Sequence, residues 1–139
     1  MGLKRDLTWE PTMESTTRLW LLLAGINGLM AVAAGAFGAH GASDPQVKEW
    51  LRVGAQYQMV HAVAALACFG FMRMAILQAG VAGWLFGLGG LIFGGSLYLL
   101  ALTGVRVLGA VAPIGGLLMI LGWLAVIWGV IAGSFIQTV

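Results

Sequence analysis

Two apolar segments of the chain are joined by residues 35–61, which read GAFGAHGASDPQVKEWLRVGAQYQMVH. This stretch contains both histidines of the chain, His40 and His61. Within it, Asp44 and Pro45 are typical of a helix start, because a capping side chain precedes a proline that suits the first helical position. The stretch therefore predicts a polar bend between two helices, in a chain that is otherwise almost entirely apolar.

The residues that follow Pro45 have the periodicity of a short amphipathic helix. Apolar or small residues recur at spacings of three and four, at Val47, Trp50, Leu51 and Gly54, and polar residues occupy the other side, at Gln46, Lys48, Glu49 and Arg52. This pattern is typical of a helix that lies on the membrane surface rather than crossing it. We therefore expect a short surface helix between the first and second membrane-spanning helices.

The composition is that of a membrane protein. Of the 139 residues, 60% are hydrophobic and only 9% are charged, against roughly 25% charged in an average soluble domain. A bilayer core about 30 Å thick needs about 20 apolar residues per helix, and four such stretches fit this chain. We therefore predict an all-α polytopic membrane protein with four transmembrane helices, at about 19–39, 57–77, 81–102 and 113–136.

These helices define a transmembrane domain, 19–139, that follows a polar N-terminal tail, 1–18. Four crossings place both termini on one side of the membrane. Basic residues number four on that side and three on the other (Lys4, Arg5, Arg18 and Arg73 against Lys48, Arg52 and Arg106), so the positive-inside rule favours cytoplasmic termini. We expect a multi-pass protein of the bacterial inner membrane.

Small residues at helical spacing suggest how the helices pack. Such residues let helix backbones approach closely in lipid, where no hydrophobic effect drives helices together. The candidate packing positions are Gly28, Gly35, Gly94, Gly129 and Gly133. Asn27 lies near mid-membrane, and because its amide would be costly in lipid, we expect it to face another helix and form a hydrogen bond there.

Four motifs together resemble a known family. They are Gly-Ala-Phe-Gly-Ala-His-Gly (35–41), Gln-Tyr-Gln-Met-Val-His (56–61), Phe-Gly-Gly-Ser-Leu-Tyr-Leu-Leu-Ala-Leu-Thr-Gly (93–104) and Ala-Pro-Ile-Gly-Gly (112–116) with Gly122-Trp123. Because these motifs occur in this order, the chain resembles domain-of-unknown-function family 423, which consists of small polytopic membrane proteins of bacteria with relatives in eukaryotes. The resemblance implies a fold and a membrane location, and it implies no reaction, substrate or cofactor.

The predicted topology brings the polar residues of these motifs to one side of the membrane, beneath the surface helix. This polar layer comprises His40, Gln56, Tyr57, His61, Ser96 and Tyr98. Two histidines at similar depth could ligate haem, a chlorin or a transition metal. The alternative is that the layer is structural and its side chains bond one another. We favour the structural interpretation, since no carboxylate cluster completes a metal site and an imidazole at a glycine-rich helix end can cap that helix at a low cost in free energy. We predict no cofactor and no metal.

Catalytic patterns are weak in this chain. Ser96 has no base at a defined spacing, and the glycines of 87–95 lie inside a membrane helix with no lysine after them, so neither a nucleophile nor a phosphate loop is indicated.

We predict a non-enzymatic integral membrane protein that acts through helix contacts, as a structural or accessory subunit of a larger membrane complex or as a homo-oligomer. The alternatives are a small-molecule or ion transporter and a haem- or pigment-binding protein. Scattered basic residues and a net charge of +2 favour membrane lipids, and not nucleic acid, as further partners.

Overall fold

The computed structural model describes residues 15–74 and 78–136, and helices account for nearly all of them. The helices are α1 (Ser15–His40), α2 (Pro45–Arg73), α3 (Gln78–Thr103) and α4 (Ala112–Ile136), with a short 3-10 helix (Arg106–Ala110) before α4. Those residues contain no β-strand. The predicted all-α class is therefore confirmed.

Three helical segments are long and apolar enough to cross a membrane: Ser15–His40, Gln78–Thr103, and Arg106–Gly133, which joins the 3-10 helix to α4. The remaining helix, α2, is more polar in its first half, where Lys48, Glu49 and Arg52 occupy its early turns. The structure thus supports three spans by length and composition.

The predicted surface helix does not exist as a separate element. One continuous helix of 29 residues, α2, includes both the amphipathic segment and the predicted second span. The apolar side of the amphipathic segment faces protein rather than lipid, because Leu51 lies against Gly38 of α1 and Gly54 lies against the Tyr98 ring of α3. The prediction failed because an apolar helical stripe has the same spacing whether a bilayer surface or a neighbouring helix covers it.

The start of α2 is as predicted. The Asp44 carboxylate Oδ1 accepts hydrogen bonds from the backbone amides of Gln46, at 2.7 Å, and Val47, at 3.0 Å. Pro45 occupies the first turn, where its missing N–H costs nothing.

At the other end of the bundle, α1 begins at Ser15, inside the predicted tail 1–18, since a helix can extend beyond the apolar core. Residues 1–14 of that tail, and 75–77 at the predicted end of the second span, lie outside the described residues.

The core lies where α1, α2 and α3 meet. α2 packs against both α1 and α3, while α4 packs against α3 and the 3-10 helix. Trp20 is 1% exposed and packs with Cys68 and Phe86. The ring lies within 2.8 Å of the point that a Cβ of Gly83 would occupy. A glycine on α3 therefore makes room for this tryptophan.

The backbones of α3 and α4 come into close contact at Gly115. A Cβ on this residue would lie 2.5 Å from the backbone nitrogen of Phe93 and 2.6 Å from the carbonyl oxygen of Gly89. Both are backbone atoms of α3, so a rotamer change cannot relieve the clash. The next residue, Gly116, has no atom within 4 Å of its Cβ position. A side chain at Gly115 would therefore clash with α3, whereas one at the adjacent Gly116 would meet no atom.

We expect Gly115→Ala to destabilise the bundle by about 1–3 kcal/mol, because α4 must move away from α3 to admit the methyl group. The matched control Gly116→Ala should be neutral, or should stabilise by about 0.4–1 kcal/mol through a lower entropy of the unfolded chain. Thermal unfolding of both variants in the same detergent, followed by circular dichroism, checks this. Equal unfolding temperatures for the two variants would contradict the described contact between α3 and α4.

Candidate functional site

A chain of hydrogen bonds between buried side chains connects α1, α2 and α3. The Tyr98 hydroxyl donates to Gln58 Oε1 at 2.6 Å, and Gln58 Nε2 donates to Asn27 Oδ1 at 2.8 Å. Asn27 Nδ2 donates in turn to the carbonyl oxygens of Leu23, at 2.8 Å, and Gly87, at 3.1 Å. Asn27 and Gln58 are both 0% exposed. We call Asn27, Gln58 and Tyr98 the amide network; the interhelical bond expected of Asn27 is confirmed.

Glycines of α2 and α3 make space for the amide network. A Cβ at Gly94 would lie 2.7 Å from Gln58 Oε1, and one at Gly90 would lie 3.2 Å from Asn27 Oδ1. On α2, a Cβ at Gly54 would lie 2.7 Å from the Tyr98 ring. The polar side chains can therefore be enclosed between helices only because the facing backbone carries no side chain.

His61 forms a second polar contact, which joins α2 to α4. Trp123 Nε1 donates to His61 Nε2 at 3.1 Å, and His61 Nδ1 lies 2.7 Å from the carbonyl oxygen of Tyr57. An indole N–H can only donate and a carbonyl can only accept. His61 Nε2 must therefore carry the lone pair and Nδ1 the proton, which defines one neutral tautomer with both nitrogens bonded.

Aromatic rings surround this histidine. The Phe86 ring centroid is 5.5 Å from that of His61 and 4.9 Å from that of Trp123, and the Tyr57 centroid is 5.2 Å from that of Phe93. Next to these rings lies a cavity of about 420 Å³ between α2, α3 and α4, lined by Val53, Tyr57, His61, Phe93, Gly116, Met119, Ile120 and Trp123. The cavity is predominantly apolar, and its imidazole is already engaged by Trp123.

The predicted polar layer is not a single site. Tyr98 belongs to the amide network, whereas Ser96 donates to the carbonyl oxygen of Phe93 in its own helix, at 2.9 Å. Gln56 is exposed and accepts a hydrogen bond from Arg52, at 3.3 Å, and Tyr57 is 49% exposed. The structure separates these residues because α2 continues through the predicted bend. Consecutive polar residues therefore point in different directions around one helix.

The two histidines lie at different depths. Gly38 of α1 lies against Leu51 of α2, and the two helices are antiparallel neighbours. His40 is two residues beyond Gly38 towards one end, and His61 is ten residues beyond Leu51 in the opposite direction. At about 1.5 Å per residue they are about 18 Å apart along the bundle. The two imidazoles cannot bind one iron, which corrects the expectation of a shared depth.

The predicted packing glycines fall into different environments. Gly35 faces the Cβ of Ala55 at 3.6 Å, Gly94 faces Gln58, and Gly129 is buried. Gly28 and Gly133 have no described atom within 4 Å of their Cβ positions. The helix surfaces at Gly28 and Gly133 are therefore open within the described part of the chain.

Sequence analysis missed two residues of the site, Gln58 and Trp123. Both stand in motifs quoted above for the family resemblance, and a helical wheel would have found Gln58, since it continues the buried stripe of Leu51, Gly54 and Ala55 at helical spacing. Trp123 gave no such signal. Its contact with His61 depends on how α4 lies against α3, which the periodicity of either helix does not determine.

Comparisons with known proteins find relatives that are named as membrane proteins. Residues 34–116 match the family described as "Protein of unknown function (DUF423)". A "UPF0382 membrane protein" of Staphylococcus epidermidis is 41% identical over 113 residues, which are 79% of this chain and 93% of the relative. The "UPF0382 membrane protein YwdK" of Bacillus subtilis is 37% identical over 115 residues, 79% of this chain and 94% of the relative. No solved structure matches the chain.

Apolar helices of spanning length, together with relatives named as membrane proteins, define this chain as a helical integral membrane protein. It belongs to the DUF423 family. The resemblance identified from the four motifs is confirmed.

We expect Gln58→Leu to destabilise the bundle by about 1–3 kcal/mol, because it leaves the Tyr98 hydroxyl and Asn27 Oδ1 buried without partners. The control is Gln56→Leu, two residues earlier on the exposed side of α2, which should change stability by no more than about 0.5 kcal/mol. Denaturation with sodium dodecyl sulfate in mixed micelles measures both. The amide network has no role in stability if the two variants unfold together.

We expect nitrogen-15 NMR of the His61 side chain to show a protonated Nδ1 and an unprotonated Nε2, since Trp123 offers only a donor. Trp123→Phe keeps an aromatic ring but removes that donor, so the Nε2 resonance should shift while Nδ1, still bonded to the Tyr57 carbonyl oxygen, stays protonated. The control is Trp128→Phe, an exposed tryptophan of the same helix, which should leave the His61 signals unchanged. Identical His61 spectra for Trp123→Phe and the parent protein would refute the hydrogen bond.

Proposed function

We propose that α2 also crosses the membrane, so that the protein has four spans. Two features support this proposal. α2 packs against α1 and α3, both of spanning length, and Arg52 and Arg73 of α2 are separated by about 31 Å at 1.5 Å per residue. That separation matches a bilayer core of about 30 Å, and arginines at the two ends can extend their head groups to the two interfaces.

Four spans place both termini on one side of the membrane, and the distribution of the basic residues favours the cytoplasmic side in a bacterial cell.

We propose that the protein acts through helix contacts with another membrane protein, as a structural or accessory subunit. The observation that carries this proposal is how the polar side chains are used. Among the described residues, every buried side-chain nitrogen or oxygen has a hydrogen-bond partner within the chain, and the longest set of these bonds joins one helix to another. The polar groups thus serve to hold the bundle in one shape.

A rigid bundle of this kind presents defined outer surfaces. On α1, Gly28 and the neighbouring Gly25 have no described atom within 4 Å of their Cβ positions, while Leu29 is 72% exposed. Small residues beside large apolar ones allow a second helix to approach closely. This surface of α1 supports contact with a partner or with a second copy of the chain.

The two alternative functions receive less support. A bis-histidine haem is disfavoured by the separation of His40 and His61. A transporter needs polar groups along a continuous path, whereas the amide network is enclosed by helices and bonded internally, and the cavity beside His61 is predominantly apolar.

We expect the protein, tagged and expressed at its natural level, to leave the membrane in mild detergent as part of a larger assembly of defined stoichiometry. Native mass spectrometry gives the masses, and a visible spectrum of the same sample should show no band. Gly28→Leu should reduce the co-purified partner several-fold, because the new side chain blocks close helix approach. Gly70→Leu is the control, since Gly70 is an equally open glycine on α2.

Each other outcome has a definite meaning. A lone chain under these conditions contradicts the accessory role, and equal losses for the two leucine variants contradict the assignment of the α1 surface. A visible absorption band that co-purifies with the chain would replace the proposal with pigment or haem binding.

A further inference from the structure

A second cavity lies between the end of α1 and the start of α2, away from the aromatic cavity beside His61. Its volume is about 270 Å³, and it is lined by Gly35, Gly38, Ala39, Lys48, Arg52 and Ala55. We call it the cationic groove. It exists because the two helices approach closely beneath it, where a Cβ at Gly38 would lie 3.0 Å from the Cβ of Leu51. Small residues thus form its floor, and two basic side chains form its polar edge.

The acidic groups near this groove are already engaged. The Asp44 carboxylate caps the first turn of α2 through the amides of Gln46 and Val47. Glu49 accepts two hydrogen bonds from Arg52, at 2.7 and 2.9 Å, which lower the pKa of the Glu49 carboxyl and keep it ionised. Within the described residues, Lys48 has no acidic partner. At the edge of the groove, Lys48 is therefore the cation that no described carboxylate pairs with.

The depth of the groove matches the membrane interface. Lys48 and Arg52 lie at the start of α2, where the proposed span meets the polar boundary. Below them, towards mid-membrane, the floor of glycine and alanine is apolar. A ligand that fits must be anionic at the boundary and apolar beneath it, which is the chemistry of an anionic phospholipid. Because pockets that enclose whole small molecules measure about 300–1,000 Å³, this groove suits one segment of a chain rather than an entire ligand.

We propose that the cationic groove binds one anionic phospholipid, with the phosphate against Lys48 and Arg52 and the first part of an acyl chain along Gly35, Ala39 and Ala55. Charge complementarity selects a lipid over an apolar protein segment. The proposal goes beyond the helix-contact function, since the purified chain binds this lipid without any protein partner.

Native mass spectrometry of the purified chain tests the site, with phosphatidylglycerol and phosphatidylcholine of identical acyl chains as probes. Phosphatidylglycerol should be retained in preference. Lys48→Gln should weaken its retention about fivefold, the factor expected for one cation at a membrane surface. Arg106→Gln is the matched control: Arg106 is an exposed cation at the same end of the bundle, and it does not line the groove.

A second variant tests the apolar part of the groove and leaves both cations in place. Ala39→Leu fills the groove from an exposed position, so it should reduce phosphatidylglycerol retention without unfolding the bundle. Ala36→Leu, an equally exposed alanine of α1 outside the groove, should have no effect. Circular dichroism of each variant confirms the helical content.

Three results would overturn the proposal: equal retention of the two lipids by the parent chain, equal weakening by Lys48→Gln and Arg106→Gln, or unchanged retention by Ala39→Leu. None of them bears on the accessory role, because these measurements contain no partner protein. Conversely, a chain that purifies alone but retains phosphatidylglycerol would contradict the accessory role and support the lipid site.

Discussion

The hydrogen bonds from Tyr98 to Gln58 and from Gln58 to Asn27 constrain the rest of this structure. In lipid there is no water to satisfy a separated amide, so the enclosed amides must meet partners on other helices. The bonds begin at Tyr98 on α3, pass through α2 and α1, and return to α3 at the carbonyl of Gly87. The two points on α3 are about 16 Å apart along its axis. Two attachments at different depths restrict the rotation, the translation and the tilt of the three helices.

The glycines of α3 follow from the same constraint. A rule based on small residues alone treats them as places where two helix backbones touch. In this bundle Gly90 and Gly94 instead face the side chains of Asn27 and Gln58, while Gly83 faces the Trp20 ring. Large or polar side chains of α1 and α2 therefore occupy the volume that the glycines leave. The abundance of glycine in α3 and the presence of amides in α1 and α2 are two parts of one arrangement.

This coupling explains which features the sequence could predict. The capped start of α2 depends on local chemistry and the interhelical bond of Asn27 depends on the cost of one amide in lipid, and these predictions were correct. The surface helix and the polar layer depend on which neighbour covers a given side of a helix. Periodicity shows that a stripe will be covered and does not say by what. The spacing of Gln58 from Leu51 and Gly54 predicts that it is buried, yet that spacing does not identify Asn27 and Tyr98 as its hydrogen-bond partners.

The attachment of α4 differs in kind from that of the other three helices. α1, α2 and α3 share the amide network, whereas α4 packs on α3 through apolar contacts, which include Gly115, Gly122 on Phe86, and Ala112 on Leu97 and Leu100, and it bonds to α2 from Trp123 to His61. Backbone contact at a glycine depends on shape alone and loses its attraction within a fraction of an ångström of separation. The hydrogen bonds described for the amide network join α1, α2 and α3 and do not include α4. The bundle thus combines a three-helix unit held by enclosed polar groups with a fourth helix held by apolar packing and by the bond from Trp123 to His61, and the cavity beside His61 lies at the boundary between the two.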